Sequence, residues 1–175
     1  MRHTLGLALA LLVLAFAATA HSTAQIAETL AHNGTEEMMF STPLESYFTR
    51  DNPRPEHILH MGSTACWRGY AGKWEIREGM LWLNALNRCH GKGEIPLPEI
   101  FHGNEGPIAA TWYTGSLKIP QGRQTRYVHM GFASQYERWL YIEIEKGRVV
   151  RETVVTPPPG GFDRPPRRSP LDLPE

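Results

Sequence analysis

Six stretches of alternating apolar and polar residues, a glycine-bearing turn after three of the strand patterns, and one cysteine pair behind an export leader predict an all-β protein. The expected form is a small antiparallel sandwich or barrel, preceded by short helical turns and followed by a disordered proline-rich tail. The expected boundaries are a leader over 1–20, an N-terminal segment over 21–60, the β domain over 61–155 and the tail over 156–175.

The leader rests on Met1-Arg2-His3, an apolar run from Leu5 to Ala18 and a small-x-small site at Ala18-Thr19-Ala20. That run is too short to anchor in a bilayer, so cleavage before His21 is expected, with a cut after Ala24 as the second choice. No later run approaches spanning length, which points to a soluble exported protein, periplasmic or released.

Charge narrows the partners. The chain has 18 Lys and Arg against 18 Asp and Glu, without the basic footprint of a nucleic-acid binder. The partner classes left are a small ligand or an envelope protein, and nothing implies a cofactor. Cys66 and Cys89 read as a disulfide in an oxidising compartment, worth roughly 3.5 kcal/mol by loop entropy. An alternative makes them metal ligands with His90, but no second Cys or His recurs at zinc spacing.

Along the mature chain, a short helix is expected over 26–30, ending at Asn33-Gly34. Thr42-Pro43-Leu44-Glu45 has the hydroxyl, proline and carboxylate of a capped helical turn running to Phe48. Residues 51–55 break it. From Ala65 the period becomes two, with Cys66, Tyr70, Trp74 and Ile76 on one face and Trp67, Lys73, Glu75 and Arg77 on the other.

Glu78-Gly79 then turns into a strand with Leu81, Leu83 and Ala85, which makes a hairpin. A two-residue turn sets Ile76 opposite Leu81 and Trp74 opposite Leu83. It leaves Cys66 and Cys89 diagonal, so a bulge near Gly69 or Gly72 is expected to bring them together.

Residues 88–108 read as a long connection with one helical turn over 97–101. Further strands are expected over 109–119, 126–132, 138–145 and 148–155. Three turns share the form Ile76-x-x-Gly79, Ile119-x-x-Gly122 and Ile144-x-x-Gly147. After Pro157-Pro158-Pro159-Gly160-Gly161, too little apolar content remains to join a core.

Arg68 is the polar residue most out of place, in phase with the buried face of the hairpin. It would either clamp a carboxylate or phosphate with its planar fork, or stack on Trp67 or Trp74 and bond carbonyls at a strand end. Aromatic residues crowd around it, namely Trp67, Tyr70, Trp74 and Trp82, with Trp112, Tyr113, Trp139 and Tyr141 on later strands. Trp67 and Trp82 on the solvent face would form a ligand platform, or else cross-strand pairs. Arg68, Trp67, Tyr70 and Trp82 are therefore the candidate ligand-binding residues.

Other chemistry finds less support. His90 and His102, with Glu94, Glu99 or Glu105 between or beside them, are an alternative metal or hydrolase set without a recognised ligand pattern. His57, His60 and His129 read as loop histidines. Neither a Gly-x-Ser-x-Gly elbow nor a His-Glu-x-x-His helix occurs, and Glu75 belongs to a surface charge ladder with Lys73 and Arg77. Asn33-Gly34-Thr35 matches a glycosylation acceptor.

The run Cys66-Trp67-Arg68-Gly69-Tyr70, followed by Lys73-Trp74-Glu75-Ile76-Arg77, resembles a group of uncharacterised bacterial exported proteins with a similar Trp-Arg-Gly-Tyr and Trp-Glu-Ile hairpin. The resemblance implies a shared fold element and assigns no activity. Function is therefore expected to be non-enzymatic binding; a metal- or carboxylate-dependent hydrolase and a structural envelope protein are the alternatives.

Overall fold

A computed structural model describes residues 23–59, 63–90 and 92–166. The leader, His60 and residues 167–175 lie outside the described residues.

The protein is all-β. Its strands are β1 (Glu28–His32), β2 (Thr35–Met39), β3 (Tyr70–Arg77), β4 (Met80–Arg88), β5 (Glu94–Ile95), β6 (Ile108–Ala109), β7 (Gly115–Arg126), β8 (Gln135–Glu145) and β9 (Arg148–Val155). They follow the order β2-β1-β3-β4-β9-β8-β7, with β5 and β6 added to β4. A single paired position, Met80 opposite Arg148, joins β4 to β9, so the sheet falls into two layers at that point. Leu30, Leu81, Leu83 and Leu86 of one layer share a continuous apolar cluster with Leu117, Ile119, Leu140, Ile142 and Ile144 of the other. This is sandwich packing around one core.

The far ends of the sheet touch without forming a ladder. The Phe40 amide donates to the Lys118 carbonyl at 2.7 Å, and the Ser41 hydroxyl accepts from the Lys118 amide at 2.9 Å. The ladder does not close.

The hairpin register is the expected one, with Ile76 opposite Leu81 and Trp74 opposite Leu83. The ladder shifts between Lys73 and Trp74, which makes Asn84 on β4 the extra residue of a bulge beside Gly72. Beyond it Tyr70 faces Arg88, and the Cys66–Cys89 disulfide closes with its Cα atoms 6.2 Å apart. Strand β3 begins at Tyr70, so residues 65–69 are turn and not strand. The 3-10 turns Pro43–Ser46 and Leu97–Glu99 lie where helical turns are expected, although Thr42 makes no side-chain cap bond.

Four expectations need correction. Residues 26–30 are not helix: β1 occupies Glu28–His32, and Asn33-Gly34 is a hairpin turn with both φ angles positive, at 50° and 79°. Asn-Gly is the strongest two-residue hairpin signal. Because β1 runs parallel to β3, with Leu30 opposite Trp74, the sheet is mixed, and the N-terminal segment is built into the β domain instead of preceding it.

Residues 126–132 are not a strand. Strand β7 runs through to Arg126, and Gly122 is no terminal turn but part of a bulge. The Glu137 carboxylate covers that bulge, accepting from the Arg123 amide and its Nε. Finally, residues 156–166 are placed against the second layer, where the Asp163 carboxylate meets Lys118 and Tyr141. A proline-rich segment has few donors, and two strong side-chain bonds substitute for a ladder.

Candidate functional site

Strand alternation places Glu28, Leu30 and His32 of β1 on the inward face. Glu28 is thereby delivered beside Arg68, and both side chains have lost all exposure to water. Arg68 Nε lies 3.2 Å from Glu28 Oε1, but the two are misaligned, and among the described residues Arg68 Nη1 has no hydrogen-bond partner. Its Nη2 donates to the Ile26 carbonyl at 2.7 Å, and the guanidinium lies 5.7 Å from the Tyr70 ring centroid. Arg68 bonds a carbonyl as the second reading has it, but the ring beside it is Tyr70 and not Trp67 or Trp74, and the carboxylate it meets is the chain's own Glu28.

Glu28 Oε2 accepts from the Trp74 indole, and the Gly72 amide also donates to the carboxylate. Gly72 is required here, since a Cβ would stand 2.8 Å from Glu28 Oε2 and against the Trp74 nitrogen. Gly69 is required too. Its φ is +84°, and a Cβ there would collide with the Ile58 carbonyl. Burial drives the Glu28 pKa up to about 7, against the opposing pull of Arg68 and Trp74.

A second shell of polar groups leads outward from this pair. The Tyr70 hydroxyl donates to Glu45 Oε1, and Arg54 donates to Glu45 Oε2 and to the Arg68 carbonyl at 3.3 Å. Burial, with Glu28 and Glu45 nearby, pushes the Tyr70 phenol well above its usual range. The Arg54 guanidinium carbon lies 5.1 Å from the Phe48 ring and 5.8 Å from those of Trp67 and Tyr70. Three rings and a carboxylate thus hold one cation. Trp67 remains 55% exposed at the outer edge of this cage.

The structure brings together three of the four sequence candidates: Arg68 and Tyr70 inside, and Trp67 through Arg54. Trp82 is not among them. It alternates with Leu81 and Leu83 onto the outer face of its layer, where the Arg77 guanidinium stacks on it at 4.7 Å. Glu28, Glu45 and Arg54 were not candidates from sequence. Glu-x-Leu-x-His followed by Asn-Gly was the available signal for Glu28, hidden because two of its three inward residues are polar.

The metal alternative loses its ligands. Cys66 and Cys89 bond each other, His90 and His102 are exposed, and among the described residues no three His, Cys, Asp or Glu side chains gather to hold a metal ion. Of the hydrolase carboxylates, Glu94 and Glu105 face solvent and Glu99 meets His57 at 2.7 Å on the surface. No helix among the described residues is long and apolar enough to cross a membrane. No family model, curated protein or solved structure matches this chain.

Proposed function

We propose that this is an exported, non-enzymatic binding domain whose contact surface centres on Trp67 and Arg54. The observation that carries the reading is the exposed Trp67 indole, held at the rim of a cage that Arg54 ties to Glu45 and to the Arg68 carbonyl. A large aromatic left in water on a rigid frame is a common anchor for a ligand or partner. The Glu28–Arg68 pair lies too deep to meet a ligand, and its role is to position the 63–69 turn that presents Trp67. Export is supported by the leader pattern and by the disulfide, which fits an oxidising compartment.

The test is native mass spectrometry of mature protein recovered from an oxidising compartment, as wild type and as Trp67→Ala. A small molecule or envelope protein retained by the wild type is expected to be lost from Trp67→Ala at unchanged melting temperature. Equal retention by both proteins, or retention of nothing by either, removes the reading.

A further inference from the structure

The second layer carries a different constellation. In β8, Leu140, Ile142 and Ile144 enter the core, so Trp139 and Tyr141 face outward, and Lys118 of β7 stands opposite Tyr141 in register. Both rings are nonetheless buried. Phe40 and Tyr136 pack on Trp139, and the 156–166 segment reaches this face at Tyr141 and Lys118 through Asp163.

Asp163 is read twice. Its carboxylate accepts from the Tyr141 hydroxyl and from Lys118 Nζ at 2.9 Å. Its amide donates to Gln135 Oε1 at 3.2 Å. The Gln135 amide group is fixed for that task, because its Nε2 donates to the Ala133 carbonyl at 2.7 Å. Lys118 is fixed as well, its Nζ 4.0 Å from the Trp139 ring centroid. Three side chains, two of them held by their own contacts, therefore converge on the side chain and backbone of a single aspartate.

The rest of the segment is attached loosely. Among the described residues, its other bonds are an internal turn from the Gly161 amide to the Pro158 carbonyl and a contact of Arg126 with the Phe162 ring at 5.6 Å. Phe162 is exposed. A ladder strand would be held along its whole length, whereas this segment is held at one residue, as a docked peptide is.

We propose that Lys118, Tyr141 and Gln135 form a peptide-binding site that reads an aspartate carboxylate and its amide, occupied in cis by this chain's own 156–166 segment. The site takes the same segment in trans when the cis copy is displaced. Tethering explains the resting state, because a short linker keeps the occupant at an effective concentration of about millimolar, which a free peptide cannot match.

The experiment uses the full chain as wild type and as Asp163→Lys, in which the new ammonium repels Lys118 and ejects the segment. The probe is a fluorescent peptide of the sequence 157–166. Asp163→Lys is expected to bind it at least about tenfold more tightly than wild type, and the same peptide with asparagine at the aspartate position is expected to bind at least about tenfold more weakly. Combining Asp163→Lys with Tyr141→Phe weakens binding again.

If the ejected form binds both peptides equally, or neither, while its circular dichroism stays that of the wild type, the site is refuted. Should Asp163→Lys fail to fold, wild-type protein carries the test: excess Asp peptide speeds solvent exchange of the Asp163 amide at least about tenfold, and an unchanged rate refutes the site.

Discussion

Two carboxylates of this protein sit in similar company and titrate in opposite directions. Glu28 has Arg68, the Trp74 indole and the Gly72 amide around it, and its pKa is driven up to about 7. Asp163 has Lys118 and the Tyr141 hydroxyl, and its pKa is held below the usual carboxylate range. Each therefore meets one cation and one aromatic donor. What differs is water. Glu28 and Arg68 are sealed between the layers, so desolvation outweighs the donors; the Asp163 side chain keeps 7% of its exposure on the outer face of the second layer, where Tyr141 and Lys118 more than offset the rise that burial causes. Burial pushes both values up, and its balance against the partners decides the sign.

The largest effect should come from separating the sealed pair. Arg68→Met leaves an unpaired carboxylate between the layers and is expected to cost about 3–5 kcal/mol in urea denaturation. Adding Glu28→Leu should recover most of that loss, because the pair is misaligned and Arg68 Nη1 has no hydrogen-bond partner among the described residues. A single variant as stable as the wild type would show that the pair contributes nothing. A double variant as damaged as the single one would show that Arg68 acts by packing alone.

Next comes the disulfide that pins the Arg68 turn to the end of β4. Replacing both cysteines by alanine should cost roughly 3.5 kcal/mol, less whatever strain the turn releases. The second layer, which the disulfide does not touch, should keep its attached segment. Solvent exchange of the Asp163 amide that rises as steeply as that of Tyr70 would break the separation between the two regions.

The sealed site also predicts a pH dependence of stated sign. Since Glu28 binds its proton more tightly folded than unfolded, with a folded pKa of about 7 against an ordinary 4.5, its favourable contribution is complete below about 4.5. It is lost as pH rises through 7. Stability measured by denaturation should fall across that window by something on the order of 1–3 kcal/mol, and Glu28→Gln should flatten the curve there. A slope unchanged by Glu28→Gln would assign it to another group.

Half of this contrast was legible in the sequence. Arg68 was marked because its phase set a guanidinium against an apolar face, and the hairpin register followed from the spacing of Trp74, Ile76, Leu81 and Leu83 about Glu78-Gly79. Its partner was not legible. Glu28 belongs to a strand of five residues whose inward face is Glu, Leu and His, and a period of two shows only when the inward residues are apolar. The parallel pairing of β1 with β3 was hidden for a related reason: it joins residues 44 positions apart, Leu30 with Trp74 for one, through a connection with no periodic signal. Asp163 was missed because composition marks a proline-rich run as unable to build a core, which is correct, yet one aspartate with two donors suffices to dock it.

The smallest effect belongs to Asp163. Asp163→Asn keeps the shape and the amide donor to Gln135 but removes the charge that Lys118 and Tyr141 face, so global stability should drop by about 1 kcal/mol. The sign of its pH dependence is the reverse of that of Glu28. A carboxyl whose folded pKa is depressed stabilises above its unfolded value and loses that contribution as pH falls through the folded one. Acid titration followed by the fluorescence of Trp139, which lies under Lys118, should therefore show a transition below the ordinary carboxylate range in the wild type and none in Asp163→Asn, while the Glu28 transition near neutral pH persists in both. If the acid transition survives in Asp163→Asn, the attachment of residues 156–166 does not depend on this carboxylate, and the two regions differ in burial but not in what burial does to their charge.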